Sequence, residues 1–126
     1  MTTNKPHHKI LIVEDDEDFL SILEKKFTME GFAVVLAKDG QEGVSMAEKE
    51  KPELILSDVL IPKMDGIAMA KKIREFNANV PVIFLTNIND VKETIETQKS
   101  DDFDYLIKAD TPLNDIVQKV KTKLGL

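Results

Sequence analysis

Acidic residues gather where the first apolar run of the chain ends, at Glu14, Asp15 and Asp16. A later run ends in Ser57 and Asp58, another in Thr86, and the last in Lys108. If those ends share one edge of a sheet, three or more carboxylates meet there. They repel one another unless a hard divalent cation or raised pKa values relieve the repulsion. Mg2+ suits such a set, because it takes oxygen ligands, keeps several waters and uses one or two carboxylates together with phosphate oxygens. An ammonium and a hydroxyl beside it then suit a phosphoryl group: Lys108 neutralises one oxygen and Thr86 donates a hydrogen bond to another. The carboxylate of Asp58 is left as the nucleophile.

Taken singly, each residue has an ordinary structural use. Acidic residues ahead of a helix cap its free N–H groups and complement its dipole, which would account for Glu14, Asp15 and Asp16. Asp58 could begin a turn before Ile61-Pro62, Thr86 could simply end a strand, and Lys108 could be a snorkelling surface charge. Only their coming together would distinguish a site from these separate uses.

The elements that must bring them together are legible in the hydropathy pattern. Short apolar runs at Lys9–Val13, Ala33–Ala37, Leu54–Leu56, Val80–Leu85 and Phe103–Ile107 read as strands. Most are near-continuous Ile, Leu and Val, as expected of strands buried on both faces of a parallel sheet. Between them, Phe19, Ile22, Leu23 and Phe27 recur at helical spacing and Gly31 supplies a stop. Val44 and Ala47 mark a second helix that Pro52 ends. Asp65 is a candidate N-cap for a third helix carrying Ile67, Ala70, Ile73 and Phe76. From Asp90 to Lys99 only Val91 and Ile95 are apolar on the presumed inner face, which predicts a weakly anchored fourth helix. A fifth has Thr111 as N-cap, Pro112 as first helical residue, and a stripe of Leu113, Ile116, Val117, Val120 and Leu124. Five strands alternating with five helices imply a three-layer α/β sandwich with right-handed crossovers. In such a sheet, ligands bind at the carboxyl ends of the strands, where the singled-out residues lie.

Composition narrows the function. The 126 residues suit one domain, here residues 9–126, preceded by a loose polar segment over residues 1–8. His7 and His8 lack further metal ligands nearby in sequence and read as solvated tail. A net charge of −6 argues against nucleic-acid or anionic-membrane partners. With no cysteines there is no disulfide framework or thiolate metal site, and with no apparent leader or long apolar span the expected location is the cytoplasm. No glycine-rich phosphate loop follows the first strand, which excludes that kind of nucleotide site. A phosphatase with an aspartate nucleophile would call for Asp-x-Asp with its first Asp at a strand end and for a cap domain, whereas Asp58 is followed by Val59 and Leu60 and the length suits a single domain.

From Lys9 to Leu124 the chain resembles the receiver domain of bacterial two-component response regulators. ILIVEDD looks like that family's acidic first-strand motif, LILSDVLIPKMDG like its phosphoacceptor loop with Pro62 and Gly66, IFLTN like its switch-threonine motif, and DYLIK like the motif carrying an aromatic residue and lysine. The resemblance implies a flavodoxin-like (βα)5 sheet of order 2-1-3-4-5. It makes Asp58 the phosphoacceptor, Asp15 a direct Mg2+ ligand, Glu14 a ligand through water, and Leu60 a ligand through its backbone carbonyl. Asp16 becomes a helix-capping acid, or an alternative ligand if the register shifts. Thr86 and Tyr105 become a switch pair. The implied partners are a histidine kinase or phosphotransfer protein and a downstream protein that reads the fourth helix, fifth strand and fifth helix. On that face, acidic Asp101, Asp102 and Asp104 and basic Lys119, Lys121 and Lys123 suggest either a charge-mixed surface or a phosphorylation-dependent homodimer.

Two positions depart from the family pattern. Asn87 follows the threonine where a small residue is usual, which would narrow access to Asp58. Ala109 follows Lys108 where proline is usual, commonly after a cis peptide. A non-proline cis bond costs about 2.5–4 kcal/mol, so a trans Lys108–Ala109 bond is expected and the orientation of Lys108 is open. If these departures abolish the response, the chain is a phosphorylation-independent interaction module. The resemblance also implies that Leu60 and Ile88, two residues beyond Asp58 and Thr86, flank the approach of a hydrolytic water; neither side chain can hydrogen-bond it, which predicts a long-lived phosphoryl group.

Overall fold

The computed structural model describes residues 7–87 and 103–126. Five parallel strands, β1 (Lys9–Val13), β2 (Ala33–Ala37), β3 (Leu54–Ser57), β4 (Val82–Thr86) and β5 (Asp104–Ile107), form one sheet in the order β2-β1-β3-β4-β5. The helices described are α1 (Glu17–Met29), α2 (Gly40–Glu50), α3 (Gly66–Arg74) and α4 (Leu113–Lys123), with a 3-10 turn at Lys108–Asp110. The segment predicted as a weakly anchored helix, Asp90–Lys99, lies outside the described residues, as do Ile88, Asp101 and Asp102.

Apolar runs without alternation fix the layering. Side chains on both faces of β1, β3 and β4 are buried, and they fall into two clusters, one on each face of the sheet. One joins Leu11, Val13, Ile55 and Phe84 to α2 and α3; the other joins Ile10, Ile12, Leu56 and Ile83 to α1 and α4. Each such Ile or Leu contributes about 1.5–3 kcal/mol on burial, which outweighs the weak strand-pairing preference of any single residue.

Several helix details differ from the sequence reading. In α1 the core residues are Leu20, Leu23 and Phe27, whereas Ile22 is exposed. Phe19 only packs against the edge of the cluster. The 3.6-residue period admits either neighbouring stripe, and the direction of the sheet selects Leu20. In α3, Phe76 lies beyond the last turn and is exposed, and Met69 supplies the further core contact. Thr111 does not cap the last helix. The N-cap position is Pro112, whose ring has no polar atom with which to cap, and Thr111 Oγ1 instead donates to the Ile107 carbonyl at 2.7 Å. The hydroxyl thus closes the 3-10 turn that follows Lys108. Asp65 does cap α3, accepting from Ala68 N at 2.9 Å, and Gly31 adopts the positive φ of 94° that ends α1.

Strand register sets the site. Val13 pairs with Ser57, Ser57 with Phe84, and Thr86 with Ile107. Glu14, Asp58 and Lys108 are each the residue immediately after a strand, so the chain leaves the sheet at neighbouring points along one edge.

Candidate functional site

Glu14, Asp58 and Lys108 meet at that edge. Lys108 Nζ lies 2.8 Å from Glu14 Oε1 and 2.9 Å from Asp58 Oδ2, so a single ammonium spans two carboxylates. Backbone groups hold the acids. Asp58 N donates to the Val13 carbonyl at 3.1 Å, and Glu14 N to the Ala37 carbonyl at 3.1 Å. The second oxygen of each carboxylate is also engaged, Glu14 Oε2 by Asp16 N at 3.1 Å and Asp58 Oδ1 by Leu60 N at 3.2 Å.

Burial and charge act against each other here. Desolvation, opposed by the hydrogen bond from Lys108, raises the pKa of Glu14 above its ordinary value. Desolvation also works to lower the pKa of Lys108, but its hydrogen bonds to Asp58 and Glu14 win, and the ammonium is held above 10.5. Lys108 is therefore charged throughout the neutral range.

Thr86 is fully buried, and among the described residues its Oγ1 has no hydrogen-bond partner. An unsatisfied buried hydroxyl costs about 1–3 kcal/mol, so this group is poised to accept or donate to something not made by the described residues. Tyr105 stacks on Phe84, with ring centroids 5.3 Å apart, and packs against the core cluster of that face.

The loop after Asp58 is tightly confined. Gly66 N donates to the Val59 carbonyl at 2.7 Å, and a Cβ at Gly66 would collide with the Asp58 carbonyl oxygen. Lys63 takes a left-handed conformation, φ 70°, and Gly40 N, in the first turn of α2, donates to the Pro62 carbonyl at 3.1 Å. Here a side chain at Gly40 would strike the Met64 carbonyl.

The sequence-derived set is thus partly gathered. Glu14, Asp58 and Lys108 touch, whereas Asp15, Leu60 and Asn87 are exposed beside them. Among the described residues no group of three acidic or histidine side chains converges closely enough to grip a metal by itself. Asp16 is the α1 N-cap, accepting from Asp18 N at 3.1 Å and Phe19 N at 3.3 Å. The Lys108–Ala109 peptide is trans, as its sequence predicts, and Lys108 reaches Asp58 nonetheless. His7 Nδ1 lies 2.8 Å from the Gly31 carbonyl oxygen, and His8 Nδ1 lies 2.9 Å from Glu53 Oε1, at the opposite end of the sheet. On the presumed output face, Lys123 pairs with Asp104 at 2.8 Å and Lys121 with Glu30 at 3.0 Å, so both lysines have partners within the chain. One contact escaped the sequence reading: Lys108 Nζ stands 4.9 Å from the centroid of the Phe19 ring. No helix among the described residues is long and apolar enough to cross a membrane.

The fold is shared with known proteins. The model of the response regulator receiver domain matches residues 10–121. The alkaline phosphatase synthesis transcriptional regulatory protein PhoP of Bacillus subtilis is 35% identical over 104 residues, covering 82% of this chain and 43% of that protein. The chain spans less than half the length of this and other curated relatives that it matches. A CheY-like receiver domain protein from Methanospirillum hungatei superposes with a TM-score of 0.85 at 26% identity, over 95% of both chains. The receiver domain of sensor histidine kinase PA1611 from Pseudomonas aeruginosa, with a magnesium ion coordinated in its active site cleft, superposes with a TM-score of 0.83 at 26% identity, over 96% of this chain and 100% of that one.

Proposed function

The chain belongs to the response regulator receiver family, and we propose that it is a phosphorylatable switch. Asp58 accepts a phosphoryl group from a histidine kinase or phosphotransfer protein, and the signal passes to a protein partner. The observation that carries this reading is the Lys108 ammonium at 2.8 Å from Glu14 and 2.9 Å from Asp58 at the carboxyl edge of the sheet.

In the transfer, an oxygen of the Asp58 carboxylate attacks phosphorus in line with the departing imidazole. A P–O bond forms, giving an acyl phosphate, while the P–N bond of the donor breaks and its electron pair stays on the imidazole nitrogen, which takes up a proton. Lys108 turns its charge toward a phosphoryl oxygen. Thr86, whose hydroxyl has no hydrogen-bond partner among the described residues, bonds a phosphoryl oxygen, and that hydrogen bond favours the phosphorylated conformation. Movement of Thr86 makes room for Tyr105, whose stacking on Phe84 is the feature that would change, and the change reaches β5 and α4.

Mg2+ fits the donor set, since Glu14, Asp15, Asp58 and the Leu60 carbonyl offer only hard oxygens and the edge already attracts a cation, the Lys108 ammonium. When bound, the ion supplies charge neutralisation for the phosphoryl oxygens. Two carboxylates and waters suffice for it, so the lack of a three-carboxylate grip is no obstacle. The alternative of a phosphorylation-independent module drew on Asn87 and Ala109; the reach of Lys108 to Asp58 despite Ala109 weighs against the Ala109 part of it.

The test is binding of beryllofluoride with Mg2+, followed by amide NMR. The expected result is large shifts at Asp58, Thr86 and Lys108 that vanish in Asp58→Asn. A spectrum unchanged by the mimic would overturn the reading.

A further inference from the structure

Lys108 has three N–H donors and, among the described residues, two carboxylate acceptors, Glu14 Oε1 and Asp58 Oδ2. The Phe19 ring, 4.9 Å from Nζ to its centroid, faces the same ammonium from the first turn of α1. An aromatic face attracts a cation through its quadrupole but neither binds a metal ion nor takes a proton. It therefore differs in kind from the other two contacts. Once Asp58 carries a phosphoryl group and the carboxylates turn to other partners, Glu14 and Asp58 no longer hold Lys108 as they do here, whereas the ring still can.

We propose that Phe19 is a positioning residue for Lys108, keeping the ammonium over the site in a chain where Ala109 stands in place of the proline usual after the family lysine. This rests on the phosphoacceptor reading given above.

The fold supplies the means. Phe19 is fixed at the start of α1 because Asp16 Oδ1 accepts from its backbone N at 3.3 Å, and its ring packs at the margin of the cluster formed with α1 and α4. Asp16, an acid beyond those needed for Mg2+, thereby acquires a purpose: it sets the first turn that presents the ring. The trans Lys108–Ala109 peptide and the 3-10 turn, closed by Thr111 Oγ1, leave the lysine stem without a rigid ring behind it. The Phe19 contact supplies a lateral restraint at the other end of the side chain.

The experiment compares Phe19→Leu, which keeps apolar packing, with Phe19→Tyr, which keeps the aromatic face. Both are first checked for a native amide spectrum. In the parent, the Lys108 ε-methylene protons should show an upfield ring-current shift that Phe19→Leu abolishes and Phe19→Tyr preserves. Acetyl-phosphate labelling should slow about threefold to tenfold in Phe19→Leu, chiefly in the maximal rate rather than in donor half-saturation, and return to near parental in Phe19→Tyr. Unshifted Lys108 resonances in the parent would overturn the contact without touching the phosphoacceptor reading. Equal labelling rates in the parent and Phe19→Leu would overturn its positioning role. The phosphoacceptor reading fails separately, if Asp58→Asn is labelled as fully as the parent. If Phe19→Leu does not fold, Phe19→Met takes its place with the same expectations.

Discussion

Asp58 and Lys108 are 50 residues apart in the chain and 2.9 Å apart in the fold. Only the parallel β3-β4-β5 register makes that possible, because each residue directly follows a strand of the same sheet edge. Removing the lysine should show how much the edge depends on it. In Lys108→Met the buried Glu14 carboxylate and Asp58 lose their shared counter-charge and face each other. Their side chains are 4% and 11% exposed and that of Lys108 is 20% exposed, so screening is partial. The expected cost is roughly 1–3 kcal/mol in urea unfolding, together with loss of most acetyl-phosphate labelling.

Glu14 gives a pH dependence with a definite sign. Burial raises its folded pKa above the ordinary 4.5, so the folded state holds this proton more tightly than the unfolded chain. Stability from this group is therefore greatest below 4.5 and falls as pH rises from there through the raised folded value. Glu14→Gln should remove that part of the slope and, without Mg2+, make the protein at least as stable as the parent at neutral pH. It should also weaken Mg2+ binding measured by calorimetry. A parental slope that persists in the variant would contradict the assignment.

Gly66 is required for close approach rather than for an unusual φ. A Cβ there meets the Asp58 carbonyl oxygen, the Val59 Cα and the Phe84 ring. Gly66→Ala should destabilise by about 1–3 kcal/mol, as overpacking does, and shift the Asp58 and Leu60 amides. A neutral substitution would mean that the loop yields more readily than its contacts suggest.

Phosphate lifetime depends on whether a water can be placed in line. Leu60 is 51% exposed beside Asp58 and has no polar side-chain atom, and Ile88 is equally apolar. We predict slow hydrolysis in the parent and faster decay in Leu60→Asn, Ile88→Glu, followed after donor removal in excess Mg2+. Equal decay rates would dismiss these two residues as determinants.

The meeting of Glu14, Asp58 and Lys108 at one sheet edge was more legible in the sequence than the helix faces were. β1 and β2 have the predicted bounds because runs such as Ile10 to Val13 can be buried only on both faces, and the residues that end the strands inherit their position from that. Helix faces were less certain, since Phe19, Leu20, Ile22 and Leu23 are all apolar and only the position of the sheet decides that Leu20 faces in and Ile22 out. Thr111 resembled a cap because Thr-Pro so often begins a helix, yet its hydroxyl found the nearer Ile107 carbonyl. Contacts between α1 and the end of β5, such as Phe19 with Lys108, leave no periodic trace in either segment. The same is true of the approach of α2 to the loop at Met64, which Gly40 permits.

The central claim is that Asp58 is the phosphoacceptor, and site-mapped mass spectrometry after incubation with acetyl phosphate and Mg2+ tests it most directly. The account predicts one added phosphoryl group per chain, carried by the peptide containing Asp58, dependent on Mg2+ and absent in Asp58→Asn. Undiminished labelling of Asp58→Asn, or a phosphoryl group mapped to another residue of the parent, would contradict it.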